Sequence, residues 1–484
     1  MVPRQGHAIL LHLDEGALSM VRLSDRRHAL AWIFAALLIY VAAVLLPPLA
    51  GISDAGQAVL GIALAGVVLW ASEAVSLGFA ACFVLVLLGS TPAADRSATF
   101  EGFATPVVFF LIGAAAIGTA VESTGLAGRV ANLLVRSAGG SPTRLYIQML
   151  ASLPGLAILM PSAITRNAVL IPAYRDTLAA MGMSQSDRTG RALMLALGML
   201  NPLASSAILT GGITSMTASA IIGNMSWLRW FVLMAVPYYA LIVFGGIALR
   251  IMVGRFEKPC VVRDRALQTD PLSRRELTTI AVLAMVSFLW LTDFLHGLSP
   301  AIPALIGALL LCCPKLGVLS WRDFEKRLSW GLVLTVGASL SLAQAMIHAG
   351  TVAWMGHEFV LLFSGVTPSP LVLLVSIIIA ASLVHIAITN LAACVALLVP
   401  VAMTIAHAAG VNPIVCALIV TIVVDSVIMY PVQTAANLLA YESGYFRSAD
   451  VGRLGVAMLG LTIVVSLCIA VPYWGALGVT LLAP

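Results

Sequence analysis

Twice in this chain a short polar cluster interrupts an otherwise apolar stretch: Pro161-Ser162-Ala163-Ile164-Thr165-Arg166-Asn167 leading to Pro172, and Thr389-Asn390-Leu391 leading to Pro400. In hydrocarbon, a polar break leaves backbone groups without helical partners, which is tolerated only where the break is buried in protein or lines a watery cavity. The surroundings are hydrocarbon-like: 61% of the 484 residues are hydrophobic and 10% charged, with a mean hydropathy of +1.03. That balance excludes a water-soluble domain of this length. Two breaks in corresponding places of two halves point to a substrate site at a repeat interface, and so to a carrier.

Apolar segments of roughly 20 residues, the length that spans a bilayer, begin near His28, Gln57, Leu77, Ala104, Gly190, Leu228, Leu277, Ser299, Trp330, Pro413 and Gly452. The pattern predicts an all-α polytopic membrane protein of about 11 transmembrane helices. Two re-entrant hairpins join them, one between spans four and five and one between nine and ten. With the N-terminus inside, the basic residues from Arg4, Arg22, Arg26 and Arg27 through the loop 251–275 to Arg447 and Arg453 fall on the cytoplasmic side. Only Arg96 and Arg229 fall outside, a nearly complete positive-inside bias that places the C-terminus outside. The run from Leu30 to Leu46 has no small-residue cleavage site after it and reads as the first span rather than a signal peptide. The absence of organelle targeting features suggests a bacterial inner membrane.

Internal repetition sets the architecture. Phe109 to Ala116 leads to Thr124-Gly125-Leu126-Ala127, and Leu332 to Leu340 leads to Ala349-Gly350-Thr351-Val352. A hairpin with a polar tip follows each, and then a helix broken at small and polar residues. The first break reads Thr210-Gly211-Gly212-Ile213-Thr214-Ser215-Met216-Thr217 and the second Pro431-Val432-Gln433-Thr434-Ala435-Ala436-Asn437. An odd number of spans separates the copies, so inverted repeats are expected.

An ordered set of short motifs runs along nearly the whole chain: Trp70-Ala71-Ser72-Glu73-Ala74, Gly102-Phe103-Ala104-Thr105-Pro106, Thr124-Gly125-Leu126-Ala127-Gly128-Arg129, Trp330-Gly331, and Thr434 to Asn437. The set resembles the divalent anion/sodium symporter (DASS) family, which transports dicarboxylates, citrate or sulfate. The resemblance implies a homodimer with a fixed scaffold and an elevator-like transport domain, in which two Ser-Asn-Thr hairpin tips hold sodium and substrate carboxylates. On that frame 1–27 is a cytoplasmic segment, 28–103 and 224–329 are scaffold helices, 104–223 and 330–440 are the repeats of the transport domain, and 441–484 is a C-terminal helix.

The tips depart from the family pattern. The second reads Thr389-Asn390-Leu391, while in the first Ala163 and Ile164 take the Asn and Thr positions, leaving Ser162, with Thr165, Arg166 and Asn167 just beyond. Sodium is the expected coupling ion, and no other cofactor is expected. Its candidate ligands are Ser162, Gly211 and Gly212 at one site and Thr389, Asn390 and the carbonyls near Tyr430 at the other. Candidate contacts to a small anionic substrate are Ser162, Thr165, Arg166, Asn167, Thr389, Asn390, Thr214, Thr434 and Asn437. The competing reading of Ser162 and Thr389 is that they only cap helices.

Arg166 is the sharpest residue. A cation at bilayer depth costs about 3 kcal/mol even on a lenient scale, and its planar fork suits a carboxylate or sulfonate bidentately. The alternatives are an ion pair with Asp176, Glu122 or Asp425, or snorkelling to the surface. His385, one turn before Thr389, and Asp425, inside the tenth span, are candidates for proton coupling, His385 with neutral packing as its competing reading. A cation-coupled carrier of a divalent anion leads, and a sodium-independent exchanger of the same fold stands second. An intramembrane enzyme is remote: the chain has no HExxH, and its eight histidines are scattered. Nothing in the pattern asks for nucleic acid.

Overall fold

The computed structural model describes residues 15–72, 74–91, 98–126, 128–129, 139–160, 162–223, 225–257, 271–361 and 369–482. Glu73, Arg96, Pro161 and most of the loop 251–275 lie outside the described residues. Among the described residues the protein is built of helices, with no strand.

All eleven expected spans fall on helices, though unequally. Among the described residues eight helices are long and apolar enough to cross a membrane, and Leu77–Ser90, Ile213–Ile222, Ala301–Leu311 and Pro413–Ser426 are shorter apolar helices. The expected eighth span shrinks to Ala301–Leu311, only about 16 Å of helix. It is held by close packing: a Cβ on Gly113 would stand 2.6 Å from the Ala304 carbonyl carbon, the small-residue contact that replaces hydrophobic driving force in lipid. The first helix starts at Glu15, upstream of the expected His28. It turns large apolar side chains such as Leu30, Phe34 and Leu45 outward.

Both hairpins are built to one plan, starting from their caps. Ser141 and Ser369 each accept a backbone N–H three residues on, and Pro142 and Pro370 follow at the first helical position, where a missing N–H costs nothing. The outgoing arms, Pro142–Leu159 and Pro370–Ala387, are 18 residues each, and so are the return arms, Ala163–Ala180 and Leu391–Ala408. The second tip is a short extended turn at 388–390; at the first, Met160 ends one arm and Ser162 starts the other. Ser162 (φ −75°, ψ 121°) caps one return arm and Asn390 (φ −76°, ψ 107°) the other. Pro172 and Pro400, to which the polar clusters lead, both lie inside the return arms. By length and composition both arms of the second hairpin could cross a bilayer. An antiparallel pair returns the chain to the side it left whatever its depth, so the topology is unchanged.

The broken helices match as closely. Arg188–Met199, Asn201–Ser206 and Ile213–Ile222 make the first, and Pro413–Ser426 and Ala435–Tyr441 the second. Each break is a 3-10 turn, Leu209–Gly211 or Pro431–Gln433, ending on an extended residue. That residue is Gly212 at φ −137°, ψ 146° or Thr434 at φ −137°, ψ 143°. Each return arm packs on its own broken helix and on the outer piece of the other one.

The family-like motifs serve packing around this core. The Gly102 N–H donates to Ser341 Oγ at 3.0 Å, and the Phe103 ring occupies the space a Cβ on Gly337 would need. Arg129 pairs with Glu276, which closes a capping box with Ser273.

Candidate functional site: two hairpin tips and two breaks

The first module is organised around Arg166, which is 0% exposed. Its Nε donates to Asn201 Oδ1 at 2.7 Å, Nη1 to the Met160 carbonyl at 2.6 Å, and Nη2 to the Asn201 carbonyl at 2.9 Å and Ser205 Oγ at 2.6 Å. Asn201 in turn donates through Nδ2 to Asn167 Oδ1 at 2.8 Å and to the Ala163 carbonyl at 3.2 Å. Asn167 Nδ2 reaches the carbonyls of Leu197 and Ala436, both at 2.9 Å. The first return arm is thereby tied to both broken helices. The carbonyls of Met160 and Leu197, at helix C-termini where intrahelical donors run out, are satisfied by a charged donor and an amide.

None of the proposed ion-pair partners takes Arg166. Glu122 stands 3.7 Å from Arg327, Asp176 is exposed, and Asp425 bonds to hydroxyls. Nor does the guanidinium present an open fork to a substrate or snorkel to the surface; it holds protein groups. Ser162 Oγ accepts the Thr165 N–H at 3.3 Å, so the capping reading of Ser162 is realised. Gly211 is required where it stands: a Cβ there would lie 2.1 Å from the Ser205 carbonyl oxygen, and Gly212 follows in extended backbone.

In the second module amides do the work. Asn390 Oδ1 accepts the Ala393 N–H at 3.0 Å, whereas Thr389 does not cap; its hydroxyl donates to the Trp70 carbonyl at 3.4 Å. The caps therefore pair Ser162 with Asn390 rather than with Thr389. Gln433 accepts the Met429 N–H at 2.7 Å and donates to the carbonyls of His385 and Val427, each at 3.2 Å. The Tyr430 hydroxyl donates to the Ile386 carbonyl at 2.7 Å, and the Tyr430 carbonyl accepts from Gln433 N–H and, at 3.4 Å, from Asn437 Nδ2. Thr434 caps the outer piece through the Asn437 N–H at 3.3 Å. Asn437 Oδ1 is buried with no partner among the described residues.

His385 takes the packing role. Its Nδ1 faces the Ile388 carbonyl at 3.1 Å, and its Nε2 has no partner among the described residues. Asp425 and Thr214 instead meet: Thr214 Oγ1 donates to Asp425 Oδ2 at 3.1 Å, and the Tyr238 hydroxyl donates to the same oxygen at 2.5 Å. Sequence reasoning missed Asn201, Ser205, Gln433 and Tyr238. The Asn201-Pro202 dipeptide inside an apolar span was a legible signal for the first of these; an isolated tyrosine in a span carries none.

A doubled module of polar-tipped hairpin and broken helix, buried in an apolar helical body, defines a multi-pass membrane transporter. The chain belongs to the family described as "Sodium:sulfate symporter transmembrane region", whose model matches residues 27–480. The sodium-dependent dicarboxylate transporter SdcS of Staphylococcus saprophyticus is 22% identical to it, with 88% of each chain covered. An L-tartrate/succinate antiporter of Escherichia coli is 24% identical over 77% of this chain and 79% of the relative. Among solved structures, the YdaH transporter of Alcanivorax borkumensis shares the fold with a TM-score of 0.51 at 16% identity, covering 83% of this chain and 97% of that one. The family and these relatives are transporters, not enzymes.

Proposed function

We propose that this protein is a cation-coupled secondary transporter of a small divalent anion, C4-dicarboxylate-like, with sulfate or a sulfonate as the alternative substrate. We place it in a bacterial plasma membrane with its N-terminus inside and C-terminus outside, working as a homodimer by an elevator movement of the two modules. The observation that carries the reading is the matched pair of breaks, each a 3-10 turn whose closing residue, Gly212 or Thr434, has the same backbone angles within a few degrees, set beside one fully buried cation. An anion near the tips meets the N-termini of two long return arms. It also meets the field of Arg166, whose named bonds go to protein groups and which therefore attracts without ligating.

Sodium is the leading coupling ion, with oxygens from Ser162 and the Gly211-Gly212 turn and from Thr389, Asn390 and Tyr430. Substrate contacts fall to Ser162, Thr165, Thr389, Asn390, Thr434 and the unpartnered Oδ1 of Asn437. A second reading, exchange of anions without sodium, is favoured by one feature: the first tip carries a hydroxyl where the second carries an amide, and a fixed guanidinium beside it opposes a second cation. Names of relatives support both, one being a sodium-dependent dicarboxylate transporter and one an antiporter. Uptake of radiolabelled succinate into proteoliposomes decides. Stimulation by an inward sodium gradient supports symport; uptake driven only by internal anion supports exchange. Absence of both with succinate, sulfate and sulfonates would sink the transport reading.

A further inference from the structure

The geometry points to Asp425 as a proton-carrying site of the transport cycle, loaded together with the anion on one side of the membrane and emptied on the other. This rests on the transport reading above but not on sodium coupling. Asp425 lies in the last turn of Pro413–Ser426, just before the second break, and is 5% exposed. Its carboxyl accepts the hydroxyls of Thr214 and Tyr238; the Ser206 side chain lies nearby, its own hydroxyl donating to the Pro202 carbonyl at 3.4 Å. Thr214 opens the outer piece of the first broken helix, Ser206 ends Asn201–Ser206, and Tyr238 belongs to Trp227–Val253. One carboxyl thus joins both broken helices to a third helix.

Among the described residues no cationic group bonds Asp425. The titratable side chains facing it are Tyr238 and, from the second return arm, Cys394. A carboxylate held only by hydroxyls in apolar protein retains much of its desolvation cost. Taking up a proton removes that cost: the carboxylate and one H⁺ become the neutral acid, and the threonine hydroxyl rotates from donor to acceptor. A hydroxyl set serves both states, as a site that loads and unloads requires. His385 has no such set.

The charges supply the coupling. Arg166 bonds Ser205, and Ser206, the next residue of the first broken helix, lies beside Asp425. With both ionised the two charges largely cancel for an approaching dianion. With Asp425 protonated, the guanidinium charge is left to attract it. Anion and proton binding therefore favour one another, and the coupling is reciprocal.

The test uses the full-length protein in proteoliposomes with succinate as probe. We expect an inward proton gradient to raise wild-type uptake about tenfold, and Asp425→Asn to lose that response while succinate counterflow at equal pH on both sides persists. Tyr238→Phe guards against a misfolded Asp425→Asn. It removes one donor from the ionised carboxyl, so the pH profile of uptake should move to the alkaline side. Gradient stimulation that survives Asp425→Asn, wild-type uptake indifferent to the gradient, or an unmoved profile in Tyr238→Phe would each overturn the proposal. A sodium response lost in Asp425→Asn with no response to protons would assign the site to sodium instead. If the wild type shows no counterflow with succinate, sulfate or a sulfonate, the transport reading falls and takes the proton site with it.

Discussion

The two modules share a backbone and differ in what fills it. The interval that carries Ser162 to Asn390 also carries Pro142 to Pro370, Pro172 to Pro400, Arg166 to Cys394 and Asn167 to Val395. The interval between Gly212 and Thr434 carries Asn201 to Val423. At these positions one module holds its hairpin to its broken helix with a cation and two amides, where the other packs Cys394, Val395 and Val423, all buried, and joins hairpin to break elsewhere, through Gln433 and Tyr430. The buried carboxylate belongs to the second module, at Asp425, close to Cys394. Duplication explains the common frame; the polar and apolar fillings show that the frame tolerates either way of closing the gap. A charge-bonded module has more to lose from one substitution, because each removed donor leaves several acceptors buried and unpaired.

That contrast ranks the expected effects. Arg166→Gln should be the most damaging, by about 3 kcal/mol of stability, with a large drop in melting temperature in detergent and loss of uptake. Arg166→Lys should not rescue it, because a point charge cannot span Asn201 and Met160 together. Cys394→Ala at the matching position should cost about 1 kcal/mol or less. Equal losses at the two positions would break the comparison.

Next come Asn167→Ala and Asn201→Ala, each expected to cost about 2 kcal/mol. Because the two share a hydrogen bond, the double variant should cost less than the sum, with a coupling of about 1 kcal/mol. Additive losses would mean that the network is a set of separate contacts.

The smallest effect concerns how the broken helices begin. The second is capped by its own Asn412, whose Oδ1 accepts the Ile414 N–H at 3.0 Å. The first is capped from a distance by Glu257, which accepts the N–H groups of Arg188 at 2.8 Å and Thr189 at 3.1 Å. Partial burial pushes the Glu257 carboxyl up, but the Thr189 hydroxyl and these backbone donors outweigh it and hold it below the usual carboxylate range. A group lowered on folding stabilises above its unfolded value and loses that contribution as pH falls through the folded value. Glu257→Gln should thus cost about 1 kcal/mol at neutral pH and nothing in strong acid. Asn412→Ala should cost a similar amount at every pH. Parallel pH profiles of melting temperature for the two would refute the distinction.

How much was legible follows from the range of each force. The tips, the breaks and the doubling showed because a serine, an asparagine or a pair of glycines stands out against an apolar run. The Ser141-Pro142 and Ser369-Pro370 starts carried the same signal and went unread. The position of Arg166 on a return arm was legible too, but not its partners: Asn201 and Ser205 come from another helix. The expectation of a substrate facing the guanidinium, or of an ion pair with Asp176, Glu122 or Asp425, assumed a charge must meet a charge. Here a carbonyl, an amide and a hydroxyl suffice.

By itself the sequence determined that this chain is a polytopic membrane protein with two interrupted, repeated halves, because hydropathy, caps and prolines act within a turn or two of where they are written. Only the tertiary structure decided which residues solvate each buried charge, that Asn390 rather than Thr389 caps its arm, and that Arg166 bonds Ser205 while Asp425 takes the hydroxyls of Thr214 and Tyr238. The free energy of a buried charge is set by the atoms that surround it in space, and those arrive from distant parts of the chain.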